Sequence, residues 1–222
     1  MLVPEGDAFA AWFDEIWAAR ENEALPQLLG PLDPGIVVLD QTPFVAQWLE
    51  AIGVEPTGNE AIFGSFGVRI APPNASRDSW AYVTSGMTSP FFSMPGDALD
   101  PSAPSALGYE LVMFVPAAVG RVDWPIVHLL NCMAYNLVSK RTYSHGHRRP
   151  LNEPIDGAQS ALRALVFADD PALVFALPSG RGRLLVAVGV TESELEVAKA
   201  QGSDGVLART GRVTDPARGP AI

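Results

Sequence analysis

The sequence predicts an α+β fold in which helices flank a mixed, largely antiparallel sheet. Three observations support this prediction: an amphipathic helix pattern near the N-terminus, several short runs of β-branched and aromatic residues in the middle, and further helix signals in the second half. With 222 residues, 48% of them hydrophobic, the chain can bury a sizeable core. We expect one large domain or two small ones.

The first element is a helix over residues 7–22. Large apolar side chains recur there at helical spacing, which puts them on one face: Phe9, Trp12, Phe13, Ile16 and Trp17. A second helix is predicted from the start signal Thr42-Pro43 to Gly53. Because exposed tryptophan-bearing faces would form a large apolar patch, we expect residues 1–60 to be a helical segment packed on the main domain.

Strands are predicted from residue 61 onward. Short β-branched or aromatic runs bounded by Gly, Pro and Asn are typical of strands, and three follow one another: IFGSFGVRI, SWAYVTSG and GYELVMFVP. Segment 88–107, between the last two, contains four prolines, which exclude a central strand or helix. A loop of this length is usually functional or mobile. Two later runs, ALVFAL and RLLVAVGV, are joined by PSGRG and predict a hairpin.

Three more helices are predicted in the second half. An Asp-x-Pro signal starts a helix over residues 123–140, and an apolar pattern predicts another near 157–168. Thr191 and Glu194 form a T-x-x-E capping box for a last helix that ends at Gly202.

The main domain is expected to span residues 61–208. Residues 209–222 have no apolar periodicity and are predicted to form a flexible tail. The N-terminus lacks the basic region of a signal peptide, and no run of about 18 apolar residues could cross a membrane. We therefore expect a soluble, cytoplasmic protein without membrane contact.

The charge balance is strongly acidic. Asp and Glu number 25 against 15 Lys and Arg, which gives a net charge of -10. This charge opposes phosphate backbones, so no nucleic-acid partner is expected, and it suits a basic protein partner. One local basic group stands out and is interpreted as a solvated surface: Lys140, Arg141, Arg148 and Arg149.

No familiar catalytic motif is present. The chain lacks a G-x-S-x-G elbow, a phosphate-binding G-x-x-x-x-G-K-[ST] loop and an H-E-x-x-H zinc helix. Its single cysteine, Cys132, excludes an internal disulfide. We therefore predict a protein that is not an enzyme and needs no cofactor.

Two alternatives stay open. The chain could be a metal-dependent hydrolase with four zinc ligands, His128, Cys132, His145 and His147, although the arginines of the intervening loop disfavour a cation. Glu110 heads an apolar strand, where a buried carboxylate either fixes the architecture through hydrogen bonds or serves catalysis with a raised pKa.

Groups of residues between 79 and 202 resemble, in their order, the Suppressor of fused domain family in its bacterial form. They form a turn, the two ends of a strand, a helix start, a loop and a final segment: Thr84, Gly86, Met87 and Thr88; Glu110 and Leu111 with Val115 and Pro116; Trp124; Gly146 and His147; Glu194, Leu195, Glu196 and Gly202. Thr88 stands where the family usually has serine, and Arg148 and Arg149 replace an apolar or hydroxyl pair.

The resemblance implies a mixed α/β domain without known catalytic activity that binds other proteins. Animal members restrain zinc-finger transcription factors, and bacterial members look like immunity proteins that neutralise polymorphic toxins, often nucleases. We therefore expect a toxin domain as partner, with an intracellular scaffold for a host protein as the alternative. The expected contact surface combines loop 88–107 with the polar helix face of His128, Asn131 and Tyr135.

Overall fold

The protein is described by a computed structural model that covers residues 2–39, 66–91, 93–139 and 141–221. These residues contain eight strands, numbered in chain order: β1 Val37–Val38, β2 Gly67–Ala71, β3 Ser79–Ser85, β4 Glu110–Pro116, β5 Arg148–Pro150, β6 Leu162–Ala168, β7 Val174–Leu177 and β8 Gly180–Thr191.

The helices, over the same residues, are α1 Asp7–Ala19, α2 Leu25–Leu29, α3 Trp124–Ser139, α4 Glu192–Gln201 and α5 Asp204–Thr210. A π-helical turn, Arg20–Ala24, joins α1 to α2, and a 3₁₀ turn, Ala117–Val119, follows β4. Within the described part of the chain, no helix combines the length and the apolar character that crossing a bilayer requires.

The strands form one sheet. Seven of them lie in the order β1-β2-β3-β4-β8-β6-β5, and β7 pairs with β8 outside this row. The pairing is antiparallel except between β4 and β8, which run parallel with Glu110 opposite Leu184. The predicted mixed, largely antiparallel sheet is confirmed.

Helices cover both faces of the sheet. Along β4, Leu111 and Met113 face the core beneath α3, whereas Val112 and Phe114 face α2. Helices α4 and α5 pack on the same side as α2, over Val166 and its neighbours on β6 and β8. Because the central strands are buried on both faces, their side chains are apolar at nearly every position.

The N-terminal helix packs through part of its predicted apolar face. Trp12 and Ile16 are buried against Val3 and Leu177, at the end of β7. Trp17 is 38% exposed, because it lies about 100° around the helix from Ile16 and away from the centre of the contact. The second predicted helix, residues 42–53, lies outside the described residues.

The prediction of a helix near residues 157–168 is wrong, because this segment contains strand β6. Leu165, Val166 and Phe167 are fully buried in succession, because β6 lies between β8 and β5 with both of its faces covered. A short continuous apolar run does not distinguish a buried strand from a helix.

The predicted hairpin is confirmed as β7 and β8. The first residues of β8 form backbone hydrogen bonds with the proline-rich segment 88–107. The Ser105 N–H donates to the Arg181 carbonyl at 2.9 Å, and the Arg181 N–H donates to the Ala103 carbonyl at 2.8 Å. Through these hydrogen bonds, the second half of segment 88–107 is attached to the sheet.

The C-terminal segment, predicted as a flexible tail, also makes buried contacts. The Thr214 N–H donates to the Phe114 carbonyl at 2.8 Å, and the Gly189 N–H donates to Thr214 Oγ1 at 2.9 Å. Thr214 thus bridges β4 and β8 beyond their last paired residues. Hydrogen bonds to neighbouring strands hold this segment. Because such bonds require no apolar periodicity, the sequence pattern does not reveal them.

Candidate functional site

The fully buried Glu110 organises the turn that follows β3. Its Oε1 accepts hydrogen bonds from the Gly86 N–H at 3.1 Å, the Thr88 N–H at 2.9 Å and the Thr88 hydroxyl at 2.7 Å. Its Oε2 accepts from the Thr84 hydroxyl at 2.7 Å and the Met87 N–H at 3.3 Å. One carboxylate therefore satisfies five donors of a buried turn.

A buried charge network lies beside this turn. Arg20 is fully buried and donates to the Ser89 hydroxyl at 2.6 Å, while Glu21 accepts from the Ser85 hydroxyl and pairs with Arg69 at 3.2 Å. Burial raises the pKa of Glu110, and the positive charge of Arg20 and the hydrogen-bond donors oppose this effect. These groups are shielded from solvent, so their arrangement fixes the turn.

The turn is connected to α3 and to the loop after it. Asn136 donates through Nδ2 to the Tyr109 hydroxyl at 2.9 Å and to Met87 Sδ at 3.5 Å, and the Tyr143 N–H donates to the same hydroxyl at 2.8 Å. Burial raises the pKa of Tyr109 to about 12, so its hydroxyl stays neutral at physiological pH.

The remaining motif residues occupy separate places in the fold. Leu111 is buried in β4, and Trp124 starts α3 with its ring against His128. Gly146 has a φ of 78° in the loop before β5, next to His147. Glu194 completes the predicted capping box at the start of α4. The fold does not gather these residues into one site.

The polar face predicted on α3 is not open along its length. His128 is only 7% exposed, its Nε2 lies 2.8 Å from the Ile155 carbonyl oxygen, and burial lowers its pKa. The segment after β5 thus covers His128 and leaves little of its side chain exposed, so its contact with a partner stays a prediction. Asn131 and Tyr135 are partly exposed.

The four candidate zinc ligands do not converge. Cys132 is fully buried and accepts a hydrogen bond from Arg149 at 2.8 Å, while His145 Nε2 lies 2.7 Å from Asp204 Oδ1. His147 bonds to Ser144. Across the described ranges, no group of three or more His, Cys, Asp or Glu residues could hold a metal ion.

A cleft of about 370 Å³ lies at the end of α3, beside strand β5. It is lined by Tyr135, Arg141, Thr142, Tyr143, His147 and Arg148. The sequence predicts Tyr135 as a contact residue, which stays a prediction, whereas the arginines were expected to form a solvated surface. The signal that could have predicted this cleft is the group of basic residues around Tyr135 in an otherwise acidic chain.

A second surface is acidic. Five carboxylates of the N-terminal segment are exposed: Glu5, Asp7, Asp14, Glu15 and Glu23. Arg20, the only Lys or Arg between residues 2 and 39, is buried. Residues 2 and 3 pair with the proline-rich loop, where the Val3 N–H donates to the Asp97 carbonyl at 2.8 Å. Leu2 and Met94 are more than 60% exposed on this ribbon.

This fold, an antiparallel-dominated sheet with helices on both faces, is that of Suppressor of fused domains. A chain of the Sufu–Fu complex crystal structure matches with a TM-score of 0.61 and 19% identity, over 100% of this chain and 93% of that one. The family model of the Suppressor of fused protein (SUFU) matches residues 65–219. The chain belongs to the SUFU family, as its motif order predicted.

Two further structures are similar. A SUFU homolog from Neisseria gonorrhoeae has a TM-score of 0.60 and 14% identity, over 96% of this chain and 98% of that one. Drosophila Suppressor of Fused has a TM-score of 0.57 and 18% identity; 85% of this chain covers 53% of that chain. No curated protein gives a significant match. The family match extends to residue 219, so it includes most of the segment predicted as a tail.

Proposed function

We propose that this chain is a non-catalytic protein-binding domain that acts as an immunity protein, neutralising a basic toxin domain encoded beside its own gene. The exposed acidic surface of the N-terminal segment carries the proposal. Five carboxylates stand there without an exposed Lys or Arg between residues 2 and 39. Such a surface accelerates association with a basic protein and orients it.

A nuclease toxin suits this chemistry. Nucleases that act on DNA or RNA need a basic surface, because phosphate backbones supply much of their binding energy. An acidic protein that covers the same basic surface blocks access of the nucleic acid. The net charge of -10 agrees with this role.

The cleft at the end of α3 would supply a second contact. Tyr135 offers aromatic surface, and Arg141 and Arg148 offer cations that suit a carboxylate of the partner. In this arrangement Tyr135 contacts the partner, as the sequence predicts, and loop 88–107 contributes through exposed residues such as Met94.

The experiment measures binding of the toxin domain encoded next to the gene, by calorimetry and stopped flow. The double variant Asp14→Lys/Glu15→Lys should slow association by about tenfold and leave Tm within a few degrees. Glu153→Lys, at an exposed position far from the N-terminal segment in sequence, is the matched control and should change the rate by less than about twofold. Absence of affinity for every neighbouring toxin domain would overturn the proposal.

An intracellular scaffold that binds a regulatory protein is the second candidate. The similarity to a chain of the Sufu–Fu complex favours it. A pull-down of the tagged protein from its own lysate, with mass spectrometry, separates the two: a toxin domain supports immunity, whereas a regulatory protein encoded elsewhere supports the scaffold.

A further inference from the structure

Within the described part of the chain, strand β7 has one paired edge and one open edge. The Leu184 N–H donates to the Leu173 carbonyl at 2.8 Å, in register with the pairs formed by Val174 and Arg183 and by Phe175 and Gly182. Backbone groups alternate in an antiparallel pair, so Phe175 bonds toward β8 and Val174 bonds away from it. Val174 and Ala176 therefore direct four backbone groups to an edge that, among the described residues, pairs with no strand.

The open edge lacks the features that protect edge strands. Charged side chains and proline commonly block unwanted pairing at an edge. Strand β5, at one end of the main row, has the sequence Arg-Arg-Pro, whereas β7 has the sequence Val-Phe-Ala-Leu. Val174 is 56% exposed and Ala176 is exposed as well. Thus β7 leaves apolar side chains and free backbone groups open together.

A groove of about 210 Å³ runs along this edge. Its other wall is the helical segment through the π-helical turn, with the small side chains of Ala19 and Ala24 and with the exposed carboxylate of Glu23. Among the described residues that line the groove, Glu23 alone is ionisable. The groove therefore offers room for a small apolar side chain and one negative charge.

We propose that the open edge of β7 binds an extended segment of the protein partner by strand addition, with a lysine or arginine directed at Glu23. Backbone hydrogen bonds to Val174 and Ala176 supply affinity, and the groove and Glu23 select the side chains. The inference rests on the proposed protein-binding function and names the kind of segment recognised. A second copy of this chain is disfavoured, because a symmetric β7 pair would bring two Glu23 carboxylates and two acidic chains together.

The test uses capped hexapeptides added to the full chain and followed by NMR. The peptide KVTVKV should shift the Val174 and Ala176 amides in a saturable manner and slow their hydrogen exchange by about tenfold. The same peptide with alternate N-methylated amides should not bind, and EVTVEV should bind at least about fivefold more weakly. Absence of saturation at about 5 mM, or binding that N-methylation leaves unchanged, would overturn the inference.

Three variants test where the peptide binds. Glu23→Lys, at an exposed position, should reverse the preference between the lysine and the glutamate peptides. Ala176→Pro removes an outward N–H and should weaken KVTVKV while the inward bonds of Phe175 persist. Val174→Lys, which blocks the edge without proline, is the second test should the proline variant unfold. If light scattering detects a dimer that these variants abolish, a second copy of the chain occupies the edge, and the proposal of a partner segment is overturned.

The experiment also separates this inference from the proposed function. Peptide binding without toxin binding keeps the β7 edge and removes the immunity role. Toxin binding that the α1 charge reversals weaken, but that Ala176→Pro and Val174→Lys leave unchanged, keeps the function and removes the edge.

Discussion

Glu110 shows how one residue type can be dictated by its donors. Five hydrogen bonds converge on two oxygens, and a carboxylate accepts all of them without presenting a donor of its own. Glutamine of the same size would place an amide N–H₂ group against either the Met87 N–H or the Thr88 N–H. A carboxylate side chain thus suits this position through its acceptor capacity, in spite of its burial.

We predict that Glu110→Gln lowers the free energy of unfolding by about 1–3 kcal/mol, the cost of leaving a buried donor unsatisfied. Urea unfolding monitored by tryptophan fluorescence measures the loss. Glu153→Gln makes the same chemical change at an exposed position and should stay within about 0.5 kcal/mol. Equal stability of Glu110→Gln and the parent chain would contradict the role of the carboxylate.

Glu194 makes the stability of the protein depend on pH, and its pKa shift is opposite in direction to that of Glu110. Burial alone would raise its pKa, but hydrogen bonds from Arg218, Thr191 and Ala221 lower the pKa to about 2. Because the folded-state pKa lies below the ordinary value of 4.5, the stabilisation is complete above pH 4.5 and is lost as the pH falls toward 2.

We predict that Arg218→Ala costs about 3 kcal/mol at neutral pH, since it leaves a buried carboxylate without its cation. It should also flatten the fall in stability between pH 4.5 and pH 2. Urea titrations at several pH values measure both effects. The same acid slope in the variant and the parent chain would exclude Glu194 as its source.

At the scale of elements, a glycine sets the distance between the proline-rich loop and β8. Gly180 has a φ of 137°, and a Cβ there would lie 2.5 Å from the Ala103 carbonyl oxygen. The loop follows β8 closely only because this side chain is absent. Segment 88–107 is therefore partly a structural element, although its exposed residues remain available for contact.

We predict that Gly180→Ala displaces this loop and accelerates hydrogen exchange of the Ser105 and Arg181 amides by at least about tenfold. Gly205→Ala is the matched control, because nothing lies within 4 Å of a Cβ in helix α5. That substitution should stabilise the protein by about 0.5–1 kcal/mol. Unchanged exchange in Gly180→Ala would show that the loop does not depend on this contact.

At the scale of the whole molecule, the C-terminal segment connects the central strands to α4. Thr214 bridges β4 and β8, and Arg218 pairs with Glu194. Both contacts come from one short segment. They attach it to the core although its sequence has no apolar periodicity. The charges are also divided, with an acidic N-terminal surface and a basic cleft at the end of α3.

We predict that removal of residues 212–222 lowers Tm by more than Arg218→Ala alone, because the Thr214 bridge is lost as well. Calorimetry of both forms measures the difference. A truncated chain as stable as the parent would show that this segment is a dispensable tail.

Elements with local signals were predictable from the amino-acid sequence. The β-branched runs of β3 and β4, the start of α3 and the T-x-x-E box of α4 depend on near neighbours along the chain, so their positions were predictable. The order of the family motifs also identified the fold. Local patterns are sufficient where propensity and environment agree.

Only the tertiary structure decided the features that depend on distant neighbours. Burial between β8 and β5 makes 162–168 a strand, and the segment after β5 covers His128. The convergence of α3 with the loop after it creates the cleft, and the order of the described strands leaves one edge of β7 without a partner strand among them. Burial and hydrogen-bond partners arise from residues far apart in sequence, so periodicity within a segment does not reveal them.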